Sequence, residues 1–371
     1  MVMTSDIVAP NINPPDLAVE PIERASTIPS AWYTDPAFHR LDNESLFKRT
    51  WQGVGFAAQV RNRGDYFRCE VAGHPVLVVR GEDGVLRAFY NVCKHRGGPV
   101  ATSDGCAKTL TCQYHGWTYR LDGTVRGVPK FDRVELFNKE DYGLHPVAVD
   151  EWEGLVFVNL ADNPKPLAER FSGIKERIAP IDLKKLEFYE TVDYEIDCNW
   201  KVYIDNYMEG YHVPFVHPEL CQLYEFQRYQ TELHEQYSLQ WAPLTADENI
   251  YSSGGGEAFY YFVFPNFMLN ILPGRLQTNV VTPLSHDRTL VRFWYFYEDV
   301  TSAEADRRIK EDIEFSDKVQ LEDVGICEHV QQGLLSPAYD VGRFSVDQEQ
   351  GVYDFQRRLK QSYQEWQDAA R

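Results

Sequence analysis

The sequence has no long hydrophobic run and too few basic residues to balance its acids. Its most apolar stretches, such as residues 155–158, are a few residues long, whereas a membrane-spanning helix needs about 20, so we expect no membrane partner. The 371 residues include 37 Lys and Arg but 56 Asp and Glu, which gives a net charge of −19. Because nucleic-acid binding depends on neutralising phosphates with basic side chains, this charge argues against a nucleic-acid partner.

Other features of common enzyme classes are missing as well. No G-x-G-x-x-G fingerprint for a nicotinamide or flavin is present, so reducing power has to come from another protein. The seven cysteines are an odd number at irregular spacing, which does not suggest a disulfide framework. The N-terminus has neither the basic and apolar segments of a signal peptide nor the composition of a transit peptide. We therefore expect a cytoplasmic enzyme.

Two short segments, separated by 16 residues, each combine one cysteine with one histidine. They are Cys93-Lys94-His95 and Cys112-Gln113-Tyr114-His115. Two thiolates and two imidazoles suit a [2Fe–2S] cluster of the Rieske kind, in which two histidines replace two cysteines on one iron and raise the reduction potential. The nearby rings of Trp117 and Tyr119 are expected to shield the cluster from water. The pattern predicts one-electron transfer.

A zinc site is the main alternative for two cysteines and two histidines. Zinc fingers, however, place both cysteines in one knuckle and both histidines in the other. Here each knuckle holds one of each. Four core or surface residues without a metal would explain a lone Cys or His better than this paired set. The Rieske interpretation is therefore preferred.

Composition and turn residues divide the chain into three regions. Residues 1–45 are predicted to form an N-terminal arm with helices, residues 46–162 a β-rich cluster domain and residues 163–371 a second domain. The sequence Asn163-Pro164-Lys165-Pro166 marks the boundary between the last two. The predicted fold class is α+β.

Hydrophobic periodicity predicts individual elements within these regions. Apolar runs at residues 76–79 and 155–158 predict buried strands, and Gly81-Glu82-Asp83-Gly84 predicts a hairpin turn. Later in the chain, the pattern predicts helices at residues 168–187, 303–332 and 348–370 and an antiparallel sheet at residues 258–300.

A second candidate metal site lies where His212 and His217 flank Pro214. Five residues turn a helix well past one revolution, so the two rings would not face one way on an unbroken helix. Pro214 is expected to break or distort the helix so that both rings turn to one point. A carboxylate from elsewhere would complete a 2-His-1-carboxylate site for Fe(II) with open positions for O₂. Asp323 is the predicted third ligand, and Glu322 is its rival.

With these motifs the chain resembles the catalytic α-subunit of Rieske non-haem iron ring-hydroxylating oxygenases. The resemblance covers nearly the whole chain from about Trp51 and includes C-x-H, C-x-x-H, N-W-K and Y-H-x-x-x-x-H-P. It implies a Rieske domain and a helix-grip catalytic domain with an antiparallel sheet and flanking helices. It also implies one [2Fe–2S] cluster and one mononuclear Fe(II) per subunit. By this resemblance the cluster ligands are Cys93, His95, Cys112 and His115, and the iron ligands are His212, His217 and Asp323.

The resemblance also implies partners. The family usually forms a ring-shaped homotrimer, or a multiple of it, in which the cluster of one subunit lies close to the iron of its neighbour. Electrons from NAD(P)H arrive only indirectly, through a separate flavin and iron–sulfur reductase or a ferredoxin. In the family a carboxylate at the position of Glu209 bridges a cluster histidine to an iron histidine across the subunit boundary. Asp205 is the alternative bridge, and Asn206 is a further catalytic candidate.

The pattern is most similar to that of choline and other quaternary-ammonium monooxygenases. This similarity implies that O₂ and electrons are used to hydroxylate or demethylate a small quaternary ammonium compound resembling choline, betaine or carnitine. Aromatic ring faces attract such a cation by up to about 2 kcal/mol when it is desolvated. The candidate walls of the substrate pocket are Tyr203, Tyr207, Phe262, Phe264 and Phe267.

Two alternative functions stay open at this stage. A ring-hydroxylating mono- or dioxygenase acting on an aromatic acid or ring would have an apolar pocket with a single Arg or Lys for a carboxylate. A quaternary-ammonium enzyme would instead have an aromatic box with an acidic partner over the iron. A non-catalytic Rieske electron carrier would need only the cluster domain, and the segment with His212 and His217 argues against it.

Overall fold

Residues 10–245 and 255–370 are described by the structure, a computed structural model. The chain divides into two compact units, Leu46–Ala168 and Met1–Ser45 with Glu169–Arg371. Within the described ranges, no helix is both long and apolar enough to cross a membrane.

The unit Leu46–Ala168 consists mainly of short strands. These are β1 (Gln52–Phe56), β2 (Asp65–Val71), β3 (His74–Arg80), β4 (Leu86–Tyr90), β5 (Gly105–Cys106), β6 (Leu110–Thr111), β7 (Thr118–Tyr119), β8 (Val125–Gly127), β9 (Pro146–Trp152) and β10 (Leu155–Asn159). Two 3₁₀ turns, Ala57–Val60 and Lys139–Tyr142, complete it. The strands predicted at residues 76–79 and 155–158 are confirmed within β3 and β10.

Seven of these strands form one antiparallel sheet in the order β1-β10-β9-β4-β3-β2-β5, and β6, β7 and β8 form a smaller one. The predicted hairpin turn joins β3 to β4, where the N–H of Gly81 donates to the carbonyl of Val85 at 2.9 Å. Gly84 has φ +80°, which an L side chain rarely adopts. Cys93 lies just after β4 and Cys112 directly after β6. The sheets thus hold both predicted cluster segments in loops at strand ends.

The other unit contains longer elements. Its helices are α1 (Ala31–Thr34), α2 (Pro36–Asp42), α3 (Leu167–Arg170, which begins before the unit boundary), α4 (Ile174–Ile178), α5 (Trp200–Tyr207), α6 (Val213–Val216), α7 (Pro218–Cys221), α8 (Ala303–Leu334) and α9 (Gln350–Ala370). Its strands are β11 (Glu187–Ile196), β12 (Gln230–Leu233), β13 (Tyr237–Pro243), β14 (Glu257–Val263), β15 (Phe267–Leu272), β16 (Arg275–Pro283) and β17 (Thr289–Tyr297). Single turns of 3₁₀ or π type lie at Pro14–Leu17, Asn43–Phe47, Leu183–Lys185 and Phe226–Arg228.

The strands of this unit form one antiparallel sheet in the order β11-β17-β16-β15-β14-β13-β12. Helix α8 contacts this sheet through polar side chains: Ser316 accepts from the Tyr295 hydroxyl at 2.9 Å, and Asp312 from the Tyr297 hydroxyl at 2.5 Å. A polar helix face is buried only where partners satisfy it. The predicted α+β class with an antiparallel sheet and flanking helices is confirmed.

Helix α5, which precedes the histidine segment, is anchored by the N-W-K motif. Asn199 caps its first turn by accepting from the N–H of Lys201 at 3.0 Å. The next residue, Trp200, donates from its indole to Asp42 at 2.8 Å. Lys201 is fully buried and pairs with the same carboxylate, which also accepts from the Tyr363 hydroxyl. Because an unpaired buried charge is costly, this network fixes the start of α5 against α2 and α9.

The continuous helix predicted for residues 168–187 is wrong. The segment holds only the short helices α3 and α4 and a 3₁₀ turn. Gly173 has φ +86° between α3 and α4, and Pro180 cannot continue α4, so Ala179 before it leaves the helical conformation with ψ +136°. The predictions for residues 258–300, 303–332 and 348–370 are confirmed as β14–β17, α8 and α9, within a few residues.

Candidate active site

The two predicted cluster segments fold into matching turns. In each, a glycine four residues after the cysteine donates its N–H to the cysteine carbonyl at 3.0 Å: Gly97 to Cys93, and Gly116 to Cys112. The two glycines have φ +74° and φ +72°, a conformation that favours glycine over residues with a side chain. The matching position of these glycines was a sequence signal for two equivalent knuckles.

The four candidate ligands come together within the unit Leu46–Ala168. The Nδ1 atoms of His95 and His115 lie 3.1 Å apart, as expected for two imidazoles that face one ion. Cys93 and Cys112 are 2% and 3% exposed, whereas the histidines are more accessible. One side of the group is therefore buried protein and the other side is open to a partner.

Aromatic side chains cover the buried side of this group. Trp117 stacks on the ring of His95 with centroids 5.1 Å apart and is 1% exposed. The hydroxyl of Tyr119 lies 3.2 Å from the Cys93 sulfur and accepts from the N–H of Lys94 at 3.0 Å. A hydroxyl beside a ligand sulfur is a means of tuning cluster potential. The fit of these residues to a Rieske cluster is good.

The segment that carries His212 and His217 is not one distorted helix. Helix α5 already ends at Tyr207, and α6 begins after His212. Pro214 occupies the first turn of α6, where a missing N–H is tolerated, so the prediction that Pro214 breaks the helix is wrong. His217 ends α6 with ψ +61°. The chain is thus interrupted at both histidines, and this turns the rings toward one point.

One donor atom from each of His212, His217 and Asp323 converges on a common point. Asp323 Oδ1 lies 2.9 Å from His217 Nε2 and 3.6 Å from His212 Nε2. A ligand atom from each of these residues lies within 4.8 Å of the others. Two donors each about 2.1 Å from one ion are about 3 Å apart, so the three residues fit a single metal ion. The donor set is that of a 2-His-1-carboxylate Fe(II) site.

Two further carboxylates contact the Nδ1 atoms of the two histidines. Glu209 Oε1 lies 2.7 Å from His212 Nδ1, and Glu322 Oε2 lies 2.7 Å from His217 Nδ1. A carboxylate on Nδ1 leaves Nε2 free to bind a metal. Glu322 therefore contacts Nδ1 of His217, whereas Asp323 contacts Nε2, the nitrogen that is free to bind a metal. This favours Asp323 as the third ligand. The Glu209 contact crosses a loop, since α5 has already ended.

The two other predicted catalytic residues have different positions. Asn206 donates from Nδ2 to Asp323 Oδ1 at 2.7 Å and so helps to orient that carboxylate. Asp205 instead accepts from the Tyr33 hydroxyl at 2.5 Å and from Gln356 at 3.1 Å. Among the described residues no hydrogen bond joins Asp205 to either histidine. Burial raises the pKa of Asp205 to about 7, although these hydrogen bonds oppose the shift.

Asp205→Asn is expected to change how stability depends on pH. The unfolded chain releases the Asp205 proton near the ordinary pKa of 3.8, but the folded protein keeps it to about pH 7. Between these values rising pH favours the unfolded chain, so this group lowers wild-type stability by up to roughly 1.4 kcal/mol per pH unit. Asparagine removes that loss. Thermal unfolding followed by circular dichroism should show the stability of the variant increasing relative to that of the wild type from about pH 4.5 to 7. A stability difference that does not depend on pH would contradict this.

A cavity of about 130 Å³ opens beside the three converging donors. Its aromatic walls are Tyr203, Tyr207, Tyr224, Phe226, Tyr229, Tyr260 and Phe293. The hydroxyls have partners within the protein: Tyr207 donates to Asn270 at 2.6 Å, and Tyr229 donates to Gln240 at 2.9 Å. Burial raises the pKa of Tyr207 and Tyr229 well above the usual value, so both stay protonated. The walls present neutral rings rather than phenolates.

Three of the five predicted wall residues lie elsewhere. Tyr203 and Tyr207 line the cavity, but Phe262, Phe264 and Phe267 do not. Phe262 and Phe264 pack on Phe355 of α9, with ring centroids 5.8 and 6.2 Å away. Phe267 is an odd number of residues from the cavity residue Asn270 on β15 and so faces the other side of the sheet, where it contacts Phe171. The predicted wall is therefore correct for Tyr203 and Tyr207 and wrong for the three phenylalanines.

The charges around the cavity are balanced except at the metal donors. Arg275 is the one Lys or Arg among the described residues that line it. Its Nε lies 2.6 Å from Asp312 Oδ2, and both side chains are almost fully buried. Glu209 and Asp323 are the acidic residues that line the cavity. With Arg275 paired and Asp323 facing the metal position, the cavity offers aromatic faces and the Glu209 carboxylate to its occupant.

Several cavity residues on β15, β16 and α8 were not predicted from the sequence. Arg275, Gln277 and Asn279 alternate along β16 and are all buried, a pattern that usually indicates a solvent-facing strand. Gln320 lies three residues before Asp323 and so on the same face of α8. That spacing was a usable signal once Asp323 had been chosen as a ligand.

A second cavity, of about 550 Å³, adjoins the same histidine. Glu209 and His212 line both cavities. Asp205, Glu349 and Ile326 also line the second one. Asn206 lines both as well, so these three residues adjoin both cavities.

Comparison with known proteins identifies two matching families. Residues 50–138 match the Rieske [2Fe-2S] domain, and residues 183–365 match the ring hydroxylating alpha subunit (catalytic domain). The chloroplastic choline monooxygenase of Arabidopsis thaliana is 36% identical over 340 residues, which cover 88% of this chain and 80% of that protein. The carnitine monooxygenase oxygenase subunit of Acinetobacter baumannii is 32% identical over 368 residues, covering 95% and 98%.

Solved structures show the same architecture. A quaternary ammonium Rieske monooxygenase in complex with L-carnitine superposes with a TM-score of 0.84 at 29% identity, covering 95% of this chain and all of that one. Naphthalene 1,2-dioxygenase from Rhodococcus sp. superposes with a TM-score of 0.75 at 18% identity over 91% of this chain and 94% of that one. The latter likeness concerns the fold alone.

Proposed function

Because the chain belongs to the family of Rieske ring-hydroxylating oxygenase alpha subunits, we propose that it is the terminal oxygenase of a system that oxidises a small quaternary ammonium compound. The overall reaction inserts one atom of O₂ into a C–H bond and reduces the other to water with two electrons and two protons. The electrons come from a separate reductase. Hydroxylation of a carbon next to nitrogen would lead on to demethylation.

The proposed cofactors follow from the two donor sets. Cys93, His95, Cys112 and His115 would hold the [2Fe–2S] cluster, and His212, His217 and Asp323 the mononuclear iron. When bound, the cluster supplies single electrons and the mononuclear iron activates O₂. Residues 46–162 would form the cluster domain, residues 163–371 the catalytic domain, and residues 1–45 would pack with the latter.

One observation supports a cationic substrate most directly. The cavity beside the iron donors has aromatic walls and, besides the iron ligand Asp323, the carboxylate of Glu209, whereas Arg275 is already paired with Asp312. A desolvated quaternary ammonium group is stabilised by ring faces by up to about 2 kcal/mol. A substrate carboxylate would have to compete with Asp312 for Arg275. An aromatic acid is therefore the weaker candidate.

A non-catalytic electron carrier is also the weaker candidate, because a carrier needs no second metal site. The cavity, its aromatic walls and the three converging donors all lie outside the cluster unit. The carnitine relative is named an oxygenase subunit, and the structure of a related quaternary ammonium Rieske monooxygenase gives insights into inter-subunit electron transfer. We propose by analogy a homotrimer or a multiple of it, a separate reductase fed by NAD(P)H, and a cytoplasmic location.

A coupled O₂-consumption screen tests the proposed substrate class. With a compatible reductase, we expect product from choline, carnitine or related betaines and none from benzoate-like aromatic acids. Choline and 3,3-dimethylbutan-1-ol form a matched pair, since a neutral tert-butyl group replaces the trimethylammonium at nearly the same size. The loss of the cation–ring attraction should lower kcat/KM by about 10- to 30-fold. Equal turnover of both compounds, or product from an aromatic acid alone, would overturn the proposal.

A further inference from the structure

Gln320 is a buried amide with unused hydrogen-bonding capacity beside the iron donors. It lines the cavity and is 3% exposed. Its Oε1 accepts from the Tyr203 hydroxyl at 2.9 Å. Its Nε2 has no partner within the described part of the chain. A buried donor without a partner is rare, because leaving it unsatisfied destabilises the folded state. The missing partner is therefore expected to be a ligand of the cavity.

The position of Gln320 indicates which part of a ligand it meets. Gln320 and the predicted iron ligand Asp323 are three residues apart on α8, so their side chains are neighbours on one face of the helix. A hydrogen-bond acceptor held by Gln320 would lie at the reacting end of the substrate. The aromatic residues Tyr229 and Tyr260 line the same cavity and can receive the cationic end.

The charges of the cavity restrict the chemistry of that acceptor. Arg275 is engaged by Asp312 at 2.6 Å, and its Nη2 donates to Gln277 at 2.7 Å. No other Lys or Arg lines the cavity in the described ranges. A substrate carboxylate would therefore find no Lys or Arg along this cavity other than the engaged Arg275. An uncharged oxygen, such as a hydroxyl, suits a single neutral amide donor.

We propose, building on the proposed function, that Gln320 is a specificity-determining residue that donates a hydrogen bond to the hydroxyl of a quaternary ammonium alcohol. The substrate class is therefore a cation of the choline type, with a trimethylammonium group, a short carbon arm and a hydroxyl. Carnitine and γ-butyrobetaine, which carry a carboxylate, are expected to be poor substrates. This assignment separates the chain from its carnitine-oxidising relatives while keeping the same metal chemistry.

The test compares choline with ethyltrimethylammonium, which lacks only the hydroxyl. Gln320→Met has a similar length but no amide. We expect this variant to lower kcat/KM for choline by about 10- to 100-fold, as for loss of a hydrogen bond in a buried site. For ethyltrimethylammonium the same variant should change kcat/KM by less than about 3-fold. Equal losses for both compounds would indicate a structural role and overturn the proposal, as would no loss for choline.

A control variant separates the hydrogen bond that Gln320 accepts from Tyr203 from the one that its Nε2 is proposed to donate to the substrate. Tyr203→Phe removes the hydroxyl that donates to Oε1 but leaves the amide nitrogen in place. We expect this variant to keep the wild-type ratio of kcat/KM for choline over ethyltrimethylammonium. A ratio that collapses in Tyr203→Phe as fully as in Gln320→Met would contradict a direct contact through Nε2.

The same assays distinguish this proposal from the proposed function. Turnover of carnitine or γ-butyrobetaine without turnover of choline would overturn the role of Gln320 while supporting quaternary ammonium oxidation. Turnover of choline in preference to both carboxylates would support both. Failure of every quaternary ammonium compound, with the cluster and the iron present, would overturn both.

Discussion

Replacement of His212 by alanine is expected to abolish oxygenation while the visible spectrum of the Rieske cluster stays unchanged. His212 Nε2 is one of three donors that face a common point, and the other two are His217 and Asp323. Loss of an outer partner of a metal ligand costs roughly 10- to 100-fold in affinity or activity. Loss of the ligand itself should cost more, so we expect turnover to fall by more than about 100-fold.

The metal content should change in the same variant. With a two-iron cluster and one mononuclear iron, the wild type would hold about three irons per chain and the variant about two. The four cluster candidates lie in Leu46–Ala168, and His212 lies in the other unit. Removal of His212 therefore leaves all four cluster candidates in place.

A matched control is His234→Ala. His234 is 41% exposed and pairs only loosely with Glu232 at 3.3 Å, and it does not line the cavity beside the iron donors. We expect this variant to keep the iron content and turnover of the wild type. Loss of the cluster spectrum in His212→Ala, or normal turnover without its third iron, would show that the two metal sites are not separate in the proposed way.

Much of the two candidate metal sites could be predicted from sequence because their donors are local in the chain. Cys93 and His95 are two residues apart, and His212 and His217 are five apart. Asp323 was harder to choose, since it lies 106 residues from His217 and has Glu322 beside it. Only the geometry separates these two acids. One faces Nε2 and the other faces Nδ1 of the same ring.

The cavity could be predicted only in part, because its residues come from distant strands. Tyr203 and Tyr207 were found because they share a segment with the histidines. The polar residues of β16 were missed, since Gln277 and Asn279 follow the alternation of an exposed strand although they are buried. Phe262 of β14 and Phe267 of β15 were predicted as cavity walls because they are aromatic, but they are buried elsewhere. Phe262 faces the same side as Tyr260 but lies further along the strand, where α9 covers it.

Glu209→Gln is expected to slow electron transfer to the catalytic iron. Glu209 Oε1 contacts His212 Nδ1 at 2.7 Å, and its side chain is 12% exposed. Glu209 also lines the second cavity, which adjoins His212 as well. In the proposed trimer a cluster histidine of a neighbouring subunit would donate to this carboxylate, whose Oε2 also accepts from the N–H groups of Tyr211 and His212. Glutamine keeps the shape but carries no charge, so it cannot accept charge-assisted hydrogen bonds from two imidazoles at once.

The measurement is the rate at which the reduced cluster becomes oxidised in a single turnover with O₂ and substrate. We expect Glu209→Gln to lower this rate by about 10- to 100-fold, the range for loss of an outer partner of a metal ligand, with both metals still bound. Glu322→Gln is the matched control, because Glu322 holds His217 Nδ1 at the same 2.7 Å but lines neither cavity. If both carboxylates only orient imidazoles, the two variants will slow the rate equally once iron content is normalised. A slower rate in Glu209→Gln alone shows that this carboxylate also connects the two metal centres, and an unchanged rate removes that role.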